Sequence, residues 1–87
     1  MITAEVGGTV TLALPENPTT GYRWRLTSPL AVVSDEFLPS GATPGGAGER
    51  VFVLRVAAAG RHEVLAMLSR PWESTVKDVR TFVVDAS

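Results

Sequence analysis

The sequence predicts an all-β protein, an immunoglobulin-like antiparallel β-sandwich of six to eight short strands. Three observations carry that expectation. Apolar residues recur with a period of two in nearly every segment, clusters of Gly, Pro and Ser interrupt the segments at short intervals, and no stretch has the apolar period of a long helix. Short alternating strands with turn signals between them bury one face each, and two stacked sheets are the simplest way to do so.

The elements follow in chain order. Met1 runs almost directly into strand-like sequence, and residues 9–14 (TVTLAL) alternate cleanly, with Val10, Leu12 and Leu14 on one face. Residues 22–26 (YRWRL) put Tyr22, Trp24 and Leu26 on one parity, expected in the core, with Arg23 and Arg25 on the other. Residues 31–38 (AVVSDEFL) read as a weaker, shorter strand, and SDEFL offers one helical turn at most. Residues 50–56 (RVFVLRV) place Phe52, Leu54 and Val56 together. In residues 62–69 (HEVLAMLS) apolar side chains fill both parities, as in a central strand covered on both faces or one near the edge of the core. Residues 79–85 (VRTFVVD) close the chain with Phe82 and Val84.

A chain of 87 residues is expected to form one domain over residues 1–87, and its 45% hydrophobic share is enough for a core without disulfides. Cys is absent, which removes disulfides, thiolate metal sites and Cys nucleophiles. The net charge is −1 with acids and bases interspersed, so no basic stripe is available for a nucleic-acid partner. No apolar run approaches a membrane span, and no signal peptide is visible; a cytoplasmic protein and a trimmed periplasmic or secreted domain both fit. The expectation is a monomer with no cofactor and no metal.

Catalysis is not expected. His62 is a lone imidazole at the start of a strand with no nucleophile beside it, Asp35 and Glu36 are strand neighbours that point to opposite faces, and the Thr19 and Thr20 hydroxyls have no His in their motif to activate them. No catalytic residue is assigned.

The informative segments are loops. When strands reverse direction in succession, alternate connections lie at one end, and here those are 15–21, 39–49 and 70–75. The first contains NPTTG, in which Pro18 fixes its own φ and pushes Asn17 towards an extended backbone, while Gly21 admits angles most residues avoid. The second, PSGATPGGAGE, is rich in Gly and small residues, so its backbone can approach another closely, and residues 40–48 are expected to be mobile in the free protein. In the third, Pro71 stiffens the approach to Trp72, which has little core to reach and is expected to be exposed as an interface anchor. Loops grouped on a rigid scaffold are where binding resides.

NPTTGYRW, GGAGERVF and RPWE, in that order on a β-rich chain of this size, closely resemble the chagasin-type inhibitors of papain-family cysteine peptidases. The resemblance runs from VGGTVTLAL to RTFVVD and implies an immunoglobulin-like sandwich whose three loops fill a peptidase cleft. Carried over by position, it puts Asn17, Pro18, Thr19, Thr20 and Gly21 in the central loop, with the two threonines at the peptidase's catalytic Cys–His pair. Gly45, Gly46, Ala47, Gly48 and Glu49 would lie along one side of the cleft. Arg70, Pro71 and Trp72 would occupy the other, Trp72 against aromatic residues of the enzyme. The second loop departs from the family's pattern, with Ala47 where Gly is usual and Glu49 where Thr is usual. A methyl group at Ala47 forbids glycine-only angles, and Glu49 adds a charge. The alternative is a binding module of the same fold whose partner is not a cysteine peptidase.

Overall fold

The computed structural model describes residues 1–41 and 46–87. Among these residues seven strands form two sheets: β1 (Ile2–Ala4), β2 (Thr9–Glu16), β3 (Arg23–Thr27), β4 (Ala31–Pro39), β5 (Gly48–Arg55), β6 (Gly60–Ser69) and β7 (Val76–Ala86). One sheet runs β1-β7-β6-β3 and the other β2-β5-β4.

Alternation decides what lies between the sheets. Along β2 every second residue is buried, and Val10, Leu12 and Leu14 meet Phe52 and Leu54 of β5, Val56 just past its end, and Val64, Ala66 and Val84 of the facing sheet in one apolar cluster. Trp24, 2% exposed, is the largest side chain in it, and its indole N–H donates to the Pro15 carbonyl at 2.8 Å, so the ring is buried without an orphaned donor. Full burial of side chains of this kind contributes roughly 1.5–3 kcal/mol each.

The pairings are antiparallel with one exception: β1 runs parallel to β7, Ile2 opposite Val84. That contact is held beyond the strands by Val6 N–H to Ser87 O and Ser87 N–H to Ala4 O, both 3.1 Å. β4 is longer than expected, nine residues including the SDEFL segment, with a bulge at Val33 that resets its alternation. Asp35 lies opposite Phe52, exposed at the sheet edge, and its carboxylate meets Arg50 at 3.1 Å. β6 is flanked by β7 and β3, with Val64 and Ala66 buried on one face and Leu65 and Met67 half-buried on the other. Its second parity is therefore an outer sheet face, not a second core.

The registers set the ends. Glu16 and Pro39 both lie opposite Gly48, while Arg23 and Val76 both lie opposite Ser69. The connections β2–β3, β4–β5 and β6–β7 therefore leave from the same end of the sandwich.

Candidate functional site

The β2–β3 connection is a closed, hydrogen-bonded turn. Asn17 is extended at φ −124° and ψ 101°, as the following Pro requires, and Pro18 opens a 3₁₀ turn over Pro18–Thr20. The Asn17 side-chain oxygen accepts from the Thr19 N–H at 3.1 Å and the Thr19 hydroxyl at 2.6 Å. The Asn17 carbonyl takes the Thr20 N–H at 3.2 Å and the Thr20 hydroxyl at 2.8 Å, and the Pro18 carbonyl takes the Gly21 N–H at 3.1 Å. Both hydroxyls thus brace the turn. Gly21 ends it in the left-handed region at φ 81°.

Gly21 is also the seat of Trp72. A Cβ at this position would collide with Cη2 of the indole and lie 3.0 Å from Cζ2. The Trp72 ring therefore rests on the central loop's backbone, yet it stays 71% exposed. Its own loop is a tight turn, with Glu73 N–H donating to the Arg70 carbonyl at 3.1 Å and Pro71 at the position where a fixed φ suits such a turn. Arg70 joins the two loops: its Nε donates to the Thr20 carbonyl at 2.9 Å and its Nη1 to Glu73 at 3.1 Å. Its guanidinium lies 4.2 Å from the centre of the Tyr22 ring, and the Lys77 ammonium lies 4.4 Å from the same centre. Tyr22 is consequently not a core residue like Trp24; it precedes β3, is half-buried and supports the cations at the rim.

The second connection comes in from the other side of the central loop. A Cβ on Gly46 would stand 2.8 Å from Thr19 Cγ2 and 3.4 Å from Asn17 Oδ1. Gly46, at φ 80°, carries the left-handed angle, while no non-Gly residue has positive φ among the described residues. Ala47 therefore sits in ordinary backbone, and its methyl demands no glycine-only angle there. The Ala47 carbonyl accepts from the Ser40 N–H and hydroxyl, both at 3.0 Å, which closes the base of this loop. Gly45, and with it residues 42–45 of the segment expected to be mobile, lies outside the described residues. Glu49 is exposed at the start of β5.

Beneath the loops lies a polar layer that inspection of apolar periodicity missed. Glu16 and Arg50 are 6% and 8% exposed. The Arg50 Nη2 donates to Glu16 Oε1 at 2.8 Å, its Nε lies 3.2 Å from both Glu16 oxygens, and its Nη1 donates to Asp35. Glu16 Oε2 also accepts the Trp24 N–H at 3.0 Å. The hydrogen bond to Glu16 foremost, opposed by burial, raises the Arg50 pKa above its ordinary value, so the guanidinium is cationic. A usable signal existed: Glu16 continues the parity of Val10, Leu12 and Leu14, and Arg50 that of Phe52, Leu54 and Val56.

The predicted site residues that are described thus form one rim, with the central loop touched on either side by Gly46 and Trp72. His62 stands apart, its Nε2 2.9 Å from the Ala58 carbonyl. A cleft of about 400 Å³ opens between β3 and β4, lined by Trp24, Leu26, Val32, Asp35, Phe52 and Ser69 with Arg23 and Arg25 at its edge. Among the described residues no three His, Cys, Asp or Glu side chains are placed to hold a metal ion.

The chain is similar to known proteins over nearly its whole length. The family model described as "Chagasin family peptidase inhibitor I42" matches residues 3–86. Chagasin of Trypanosoma cruzi is 34% identical over 92 residues, which span 95% of this chain and 84% of chagasin. Among solved structures, a cysteine protease inhibitor of Entamoeba histolytica superposes with a TM-score of 0.83 at 23% identity, over 99% of this chain and 84% of that one. The solution structure of amebosin gives a TM-score of 0.60 at 26% identity, over 98% and 84% of the two chains.

Proposed function

Since the chain belongs to the chagasin family of peptidase inhibitors, we propose that it is a reversible, non-covalent inhibitor of papain-like cysteine peptidases that blocks the active-site cleft with loops 15–21, 39–49 and 70–75. Residues 1–87 act as one inhibitory unit and as a monomer, with a peptidase rather than nucleic acid or a membrane as partner. The observation that carries the reading is the pre-assembled rim: the central turn stands between Gly46 and Trp72 and touches both.

The chemistry of the central turn suits a blocker. A peptidase cleaves an extended chain whose carbonyl lies beside its nucleophile. In this turn the Asn17 and Pro18 carbonyls are already engaged by Thr20 and Gly21, and the backbone is bent into a 3₁₀ turn. Thr19 and Thr20 can cover the nucleophile without offering a scissile bond. Trp72, exposed on a rigid corner, is the anchor; aromatic side chains mounted this way dominate binding energy in interfaces. Loops already fastened to one another lose little entropy on docking, and a protease–inhibitor interface buries on the order of 1,600 Å².

The test is inhibition of papain across a range of substrate concentrations, followed by recovery of the inhibitor. Competitive inhibition with the chain recovered uncut is the expected result; no inhibition at micromolar concentration by folded protein would reject papain-like peptidases of this breadth as targets. The exposed Glu49 carboxylate on the second loop favours a second reading, a binding module whose partner is not a cysteine peptidase. A pull-down from the source proteome that returns only non-peptidases would support it.

A further inference from the structure

We propose that Glu16 and Arg50 are positioning residues that set the geometry of the central and second loops from below; this rests on the cleft-blocking function proposed above. The polar layer is anchored at four points. Glu16 ends β2, immediately before Asn17. The Trp24 N–H, which Glu16 Oε2 accepts at 3.0 Å, lies in β3 just beyond the exit of the same loop. A single carboxylate therefore ties the loop's entry to its exit. Arg50 adds the third anchor, near the start of β5 where the second loop ends, and passes the connection to Asp35 on β4 through Nη1 at 3.1 Å. The fourth contact, Arg23 to Asp35 at 3.9 Å, returns to the first sheet.

Stability alone is a poor reason for this layer. A buried ion pair is often no more stabilising than apolar side chains of similar volume, because both charges lose their hydration. What apolar side chains lack is direction. The guanidinium fork fixes the angle between β2, β4 and β5, and the Trp24 N–H bond fixes the span of the turn. Gly46 meets Thr19 and Asn17 so closely that a Cβ on it would stand 2.8 Å from Thr19 Cγ2, and the two strand ends that deliver them are the two that this pair joins.

Two variants test this, Glu16→Leu with Arg50→Met together, and Arg50→Lys alone. The double variant removes both charges; the Trp24 N–H loses its acceptor, and Asp35 retains Arg23 and solvent. It is expected to fold with a midpoint lowered only by the one orphaned N–H, not by the loss of the ion pair. Backbone amide relaxation is expected to show increased mobility confined to residues 17–21 and 46–49. Papain inhibition is expected to weaken roughly 10-fold or more, the factor that corresponds to one charge-assisted hydrogen bond, through faster dissociation. Arg50→Lys keeps the charge but cannot fork between Glu16 and Asp35; it is expected to loosen the same two segments and decides the matter if the double variant fails to fold. Loop order and dissociation rate like the parent's in a folded variant would overturn the proposal. If the parent chain itself does not inhibit papain, the peptidase reading fails, and the relaxation measurement alone still supports or overturns the positioning role.

Discussion

Gly21→Ala perturbs the point where two loops meet, and its effect can be worked out beforehand. The backbone there is at φ 81° and ψ −8°, a region in which an L-residue costs about 1–2 kcal/mol. The added methyl would also collide with Trp72 Cη2, and the ring must swing aside. Trp72 is 71% exposed and outside the core, so the swing adds little to the loss of stability. The midpoint should fall by roughly 4–16 °C, about 4–8 °C for each kcal/mol in a domain of this size. Binding should suffer more, because the anchor leaves its place beside the central turn: about 2 kcal/mol, or 30-fold in the inhibition constant. Gly7→Ala separates the two causes. Gly7 has φ 92° but nothing within 4 Å of its would-be Cβ, so it brings backbone strain without a collision. Thermal unfolding and papain inhibition are measured for both. Comparable losses of stability, with inhibition lost only at position 21, are expected. Equal inhibition by the two variants would refute the claim that the Gly21–Trp72 contact positions the anchor.

Other outcomes follow from the same geometry. Trp72→Ala should weaken inhibition by about 30-fold or more yet change stability by no more than about 0.5 kcal/mol, as for other exposed positions; inhibition kinetics and a denaturant titration read both. Leu14→Ala should cost about 2–5 kcal/mol, since the side chain is fully buried, and urea unfolding measures it. Glu49→Thr should speed association with peptidases whose cleft margins are acidic, an effect that salt should erase and that rates at two ionic strengths would show.

Period-two alternation made the core legible because each strand buries one face: Leu12 opposite Phe52 and Val10 opposite Leu54 follow from parity once the strands pair. The common rim followed from strand reversal, the loops drew notice by their turn chemistry, and the individual site residues came from the family resemblance. What escaped was of two kinds. Glu16 and Arg50 stand 34 residues apart, and a buried charge makes sense only with its partner in view. The parallel β1–β7 pairing likewise joins the two ends of the chain, where local pattern carries no information. Tyr22 misled for another reason: parity put it with Trp24, but β3 begins only at Arg23, and at the rim an aromatic ring is better served by Arg70 and Lys77 than by the core.

The central claim is that the three loops physically cover the peptidase's nucleophile. Alkylation of papain's active-site thiol by iodoacetamide, followed as this protein is titrated in, tests it most directly. The account predicts protection that grows in proportion to inhibitor and is complete near one equivalent, with Trp72→Ala protecting only at higher concentration. Alkylation at an undiminished rate within a complex known to have formed would place the protein elsewhere on the enzyme and contradict the claim.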